Sequence, residues 1–281
     1  MPRFDRIVVV DWSAAGRPVR GADSIWIGTD RDSPENPPTR AAAADRIDRI
    51  LARAADRQER LLIGVDFAFG HPAGLARAIT GRDDALALWD HLADAHRDDA
   101  ANDTNYRAVA AAMNRTLRHP VFWGDGRREA TPDLPRLRPP PHPTIVAHRV
   151  TEAPRPGGPR PKSPFQLAGA GAVGAQSLTG IPRLNRLRRT LGDRVAVWPF
   201  QPWRDAPVVL AEVYPSMLGD LRGHPGHACR DAAQVALLAG RLKALDDAGV
   251  LTAMFAPDPR IRDLASEGQI LGLGHEARLA P

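Results

Sequence analysis

The chain contains one cysteine, Cys229, so it can form no internal disulfide and carries no cysteine framework for zinc or an iron–sulfur cluster. Aromatic residues make up only 5%, and there are two lysines, Lys162 and Lys243, so nearly all positive charge is arginine. No apolar run approaches the ~18 residues of a membrane span, and Met1 to Arg6 lead directly into a strand-like segment without a signal-type stretch. These absences predict a cytoplasmic protein without a membrane partner. A Walker A sequence is also missing, as is any zinc-type histidine spacing, since His224 and His227 lack matching partners.

With 43% hydrophobic and 25% charged residues, the 281-residue chain has the composition of a globular protein able to bury a sizeable core. Its length exceeds the usual ~100–200 residues per domain, yet α/β folds reach it around one core. We expect one domain over 1–281 with an insertion at 76–185. The formal charge of +5 gives weak support for a polyanionic partner by phosphate attraction, but no long basic run focuses it and an arginine-rich composition also follows from a GC-rich genome.

Two apolar runs end in acids. Ile7-Val8-Val9-Val10 precedes Asp11, and Leu61-Leu62-Ile63-Gly64-Val65 precedes Asp66; both read as buried strands. Ser24 to Gly28 predicts a strand antiparallel to the first, with a weaker edge strand near 32–36. Thr39 is placed to cap a helix running to about Gln58, because Ile47, Ile50, Leu51 and Ala54 follow at helical spacing. Strand, helix, strand in that order makes the two acid-tipped strands parallel neighbours and brings Asp11 and Asp66 to one sheet edge.

Further on, 86–95 and 106–117 predict helices, 131–164 is crowded with proline, and helical 184–191 leads to late strands at 195–198 and 208–214. Glu212 interrupts the last of these, where an unpaired carboxylate would cost several kcal/mol. Residues 228–248 show a continuous apolar face ended by Gly249, with Asp231 in the first turn. Ile270 and Leu271 are placed to pack back from the tail.

Carboxylates are hard oxygen ligands, and several converging on one rim suit divalent magnesium or manganese. Such a site activates water, so it needs no Ser, Cys or His nucleophile. Asp11, Asp66, Glu212 and Asp231 are therefore the candidate catalytic and metal residues, for Mg²⁺ or Mn²⁺. Three of them have a plainer reading, turn capping for Asp11 and Asp66 and helix-dipole complementation for Asp231, whereas Glu212 inside an apolar strand has none as simple. Ser13, Arg40, His71 and Lys162 are candidate substrate contacts: a hydroxyl ligand or turn former, an anion site at a helix start, a proton shuttle, and a phosphate contact from the proline-rich arm.

The segments VVVDWSAAG, LIGVDFAFGHP, LAEVYPSML and RDAAQVALLAGRL, in this order, resemble the domain of unknown function 429 family, described as ribonuclease H-like nucleases. The resemblance covers roughly 5–75 and 205–245. It implies a ribonuclease H-like mixed sheet flanked by helices, with a helical and proline-rich insertion, and a metal-dependent phosphodiester hydrolase acting on nucleic acid or a phosphorylated small molecule. Asp11, Asp66, Glu212 and Asp231 occupy the family's acid positions, while Trp12-Ser13 replaces its usual small residues.

Two alternatives remain. Similar sequences carry a molybdopterin guanine dinucleotide synthesis assignment, but Leu167-Ala168-Gly169 matches that nucleotide loop only in part. A non-catalytic binding domain on the same sheet is the other. Gly169 to Gly174 satisfies G-x-G-x-x-G without the strand before it or the acid after it that dinucleotide binding requires. Trp198, Phe200 and Trp203 are expected in the core rather than as base-stacking platforms.

Overall fold

The computed structural model describes residues 3–127, 131–153, 162–169, 171–219, 221 and 226–279. Five strands form one mixed sheet: β1 (Arg6–Asp11), β2 (Trp26–Thr29), β3 (Leu61–Val65), β4 (Val195–Val197) and β5 (Val208–Glu212), in the order β2-β1-β3-β5-β4. β2 is antiparallel to β1, and the other pairings are parallel. Ile7 to Val10 and Leu61 to Val65 are all buried, as expected for strands covered on both faces. The anticipated edge strand near 32–36 amounts to a single antiparallel bridge, Ile27 to Glu35.

Helices cover both faces. On one side lie α1 (Arg40–Asp56), α2 (Leu75–Thr80), α3 (Ala85–Ala95), α4 (Tyr106–Leu117) and α5 (Gly174–Leu191). Val8, Val10, Ile63, Val65 and Leu210 pack there with Ile47, Trp89, Phe122 and Phe165, so residues within 76–185 contribute directly to the core under the sheet. On the other side α6 (Arg230–Asp247) packs with Ile7, Val9, Leu62, Val209 and Ala211, and Ile270 and Leu271 fold back into the same cluster. Among the described residues no helix is long and apolar enough to cross a membrane.

Local chemistry accounts for most element limits. The Thr39 hydroxyl accepts from Ala42 N–H at 3.1 Å and starts α1. Helix α2 was not anticipated; it is bracketed by Gly74 and Gly81, both left-handed. Helix α5 starts ahead of the expected Leu184, because Pro182 lies inside it and masks the periodicity. Helix α6 begins at Arg230 rather than at residue 228, and Gly249 at φ 72° follows its end. α6 lies so close to β2 that a Cβ on Gly28 would sit 2.5 Å from the Val235 carbonyl carbon.

The register sets the site. Val10 pairs with Val65, and Val65 with Glu212, so Asp11, Asp66 and Glu212 emerge together at the carboxyl ends of three adjacent parallel strands. In α/β sheets that is the edge where ligands bind.

Candidate functional site

Asp11 and Asp66 are partly buried, and their carboxyl groups are in hydrogen-bond contact. Two carboxylates can share such a bond only if one carries a proton. Burial, followed by the Asp231 charge, pushes Asp11 up to about 7. Burial, followed by the charge of Asp11, raises Asp66 well above the usual carboxylate range. Trp12 N–H donates to Asp66 Oδ1 at 2.8 Å, while the Trp12 indole donates to Thr179 and its carbonyl accepts from Gln176, both on α5. Asp231, from the first turn of α6, accepts from Asp23 N–H at 2.8 Å and adds its field to the pair.

The loop after Asp11 is tied down from behind. Ser13 forms a local turn: its hydroxyl donates to the Asp23 carbonyl and accepts from Ala15 N–H, each at 3.3 Å. Arg40, expected to meet an anion at the helix start, is fully buried instead. Its guanidinium binds Asp98 through Nε (2.8 Å) and Nη2 (2.7 Å), and it donates to the carbonyls of Ser13, Ala15 and Asn102. A guanidinium with all these partners has no donor to offer a ligand, so its role is to position the loop.

Glu212 differs most from the expected arrangement. It is buried, and both carboxylate oxygens are occupied: Arg149 Nη2 and Nη1 donate at 2.6 and 2.8 Å, and Phe69 N–H at 2.9 Å. The same guanidinium donates through Nε to Glu152 at 2.9 Å and through Nη1 to the Glu267 carbonyl. One buried arginine thus faces two buried glutamates. Glu152 is pushed up to about 7, chiefly by burial, with Arg149 opposing and Glu212 adding to the rise. Arg149 and Glu152 went unnoticed in the sequence because they stand beside a proline-rich stretch without periodicity, on a single 3-10 turn at Val150–Glu152.

A small cavity of about 40 Å³ joins the two groups of acids, lined by Asp66, Glu152, Glu212, Arg149, Tyr214 and Lys162 among others. Lys162 is exposed, lines the same cavity and makes no ion pair among the described residues.

His71 is not placed to exchange protons with solvent. Its ring is 2% exposed, neither nitrogen has a hydrogen-bond partner, and it lies against Phe122 and Phe165. Burial, then nearby Arg149, depresses it to about 3, which keeps it neutral. Gly169 and Gly171 are left-handed turn residues leading into α5, with no strand before them. Trp198 and Trp203 are buried against Phe255, and Phe200 packs at the edge of the other cluster. Cys229 precedes α6 without a capping bond. His224 lies outside the described residues.

The donor chemistry of Asp11 and Asp66 suits a hard divalent cation. Two partly buried carboxyls that must share a proton gain by exchanging it for a metal, and magnesium is commonly held by one or two carboxylates while keeping several waters. Among the described residues no group of three or more His, Cys, Asp or Glu is arranged to hold an ion, in keeping with Asp231 turned to Asp23 and Glu212 to Arg149. Comparison with protein-family models, curated proteins and solved structures finds no match.

Proposed function

We propose that this chain is a metal-dependent phosphodiester hydrolase of ribonuclease H-like fold, acting in the cytoplasm on nucleic acid or a phosphorylated small molecule. The observation that carries the reading is the Asp11–Asp66 contact at the carboxyl ends of neighbouring parallel strands, where burial and mutual repulsion create a demand for positive charge. Asp11 and Asp66 would hold Mg²⁺ or Mn²⁺, with Asp231 strengthening the field. A bound ion would supply water activation and charge neutralisation at a phosphoryl oxygen. The chain's own residues do the rest: Trp12 N–H orients Asp66, Arg40 holds the loop behind Asp11, and Lys162 offers a phosphate contact at the cavity rim.

The test is hydrolysis of bis-p-nitrophenyl phosphate and of labelled RNA and DNA oligonucleotides with Mg²⁺, with Mn²⁺ and with chelator. Cleavage that needs the ion and disappears in Asp11→Asn is expected. Chelator-resistant cleavage, or an Asp11→Asn variant as active as the parent, would overturn the reading. Ion binding without cleavage of any of these substrates would leave a binding domain.

A further inference from the structure

We infer that Arg149 is a built-in cation that takes the place of a second metal ion, so that the chain binds one divalent ion, between Asp11 and Asp66, and Glu212 is not among its ligands. This inference rests on the metal reading proposed above and specifies its stoichiometry.

Two-metal phosphoryl-transfer sites hold their ions about 3.5–4 Å apart, with carboxylates bridging and flanking the pair. In this chain the acids beyond Asp66 are Glu212 and Glu152, which face the same cavity. A second ion on the Asp66 side of the pair would need their oxygens, and those oxygens already have partners. Glu212 Oε1 accepts from Arg149 Nη2 at 2.6 Å; Oε2 accepts from Nη1 at 2.8 Å and Phe69 N–H at 2.9 Å. Glu152 Oε1 accepts from Arg149 Nε, and Oε2 from Arg149 N–H, both at 2.9 Å.

Arg149 is itself 2% exposed and uses Nε, Nη1 and Nη2, so it cannot swing aside into solvent without abandoning two buried carboxylates. The space remaining between Asp66 and the glutamates is about 40 Å³. That space is small, and the glutamate oxygens that would ligand an ion in it are already taken by the Arg149 guanidinium and by the Phe69 and Arg149 backbone N–H groups. A planar guanidinium bridging two carboxylates supplies what a second cation would: positive charge and a fixed separation of the acids. It does so permanently and without an ion that can dissociate.

Calorimetric titration of the full chain with Mn²⁺, paired with electron paramagnetic resonance of the loaded protein, tests this. One ion per chain is expected, with the resolved hyperfine pattern of isolated Mn²⁺. Glu212→Gln should keep one ion per chain with an affinity change below about tenfold, the lower bound for losing a group that supports a metal ligand. That variant leaves Arg149 paired with Glu152, and a urea melt of the same sample separates a change in binding from a loss of folding. Asp11→Asn should lose about 100-fold or more in affinity, by the same scale. Two ions per chain with a spin-coupled spectrum, or loss of binding in Glu212→Gln, would overturn the inference while leaving the metal reading intact. No ion bound to the unmodified chain would overturn both.

Discussion

Trp12 donates its backbone N–H to Asp66 at 2.8 Å, so the residue that follows one strand-end acid orients the other. The same tryptophan anchors to α5 through its indole and its carbonyl. The two acids and the helix behind them therefore form one mechanical unit, in which the pair is held together against its own repulsion.

That repulsion predicts an inverted pH response. In the folded chain Asp11 titrates near 7, against an ordinary value of 3.8, so folding favours its protonated form. This contribution is complete below about pH 4 and is lost as pH rises through 7. In chelator, Asp11→Asn should be more stable than the parent by ~1–3 kcal/mol at pH 8, with the difference vanishing near pH 4. Urea melts at both pH values measure it. A variant less stable at pH 8 would contradict the assignment of strain to this pair.

Removing Arg149 leaves Glu152 and Glu212 buried without a cation. Arg149→Ala should cost about 3–5 kcal/mol in urea denaturation, the range for breaking a buried pair from one side. Arg149→Lys should recover part of it, since it keeps the charge and loses the two-pronged geometry. A loss below about 1 kcal/mol would show that the cluster admits water freely.

Gly28 sets the distance between α6 and the sheet. A Cβ there would lie 2.5 Å from the Val235 carbonyl carbon and 2.6 Å from its oxygen, and a helix backbone cannot give way as a side chain can. Gly28→Ala should destabilise by ~1–3 kcal/mol and, by displacing the helix that carries Asp231, weaken Mn²⁺ binding. Gly240→Ala is the control: a Cβ there meets nothing within 4 Å, and the change should stabilise α6 by about 0.5–1 kcal/mol. Equal effects at the two positions would refute the close approach.

Lys162 separates binding from folding. It is exposed and without an ion pair among the described residues, so Lys162→Ala should alter stability by no more than about 0.5 kcal/mol. KM for a phosphodiester should rise several-fold, and its dependence on salt should weaken, because one phosphate contact is gone. Unchanged KM at low salt would remove Lys162 from the substrate path.

What local physics controls was legible in the chain itself. β-branched runs ending at Asp11 and Asp66, a threonine capping α1 and the apolar face of 230–247 each depend on neighbours a few residues away, and each appears in the fold. The adjacency of Asp11 and Asp66 was legible too, because a strand–helix–strand unit places parallel neighbours side by side. Helix α5 was partly hidden, since Pro182 interrupts the pattern by which helices are recognised.

Charge pairing belonged to tertiary structure alone. Arg40 finds Asp98 and Arg149 finds Glu212, across 58 and 63 residues of chain, and no periodicity encodes such meetings. A buried ion must be compensated by whatever opposite charge the packed fold brings within reach. The sequence therefore determined which acids reach the sheet edge; only the folded chain decided that Glu212 is paired with an arginine while Asp11 and Asp66 face each other.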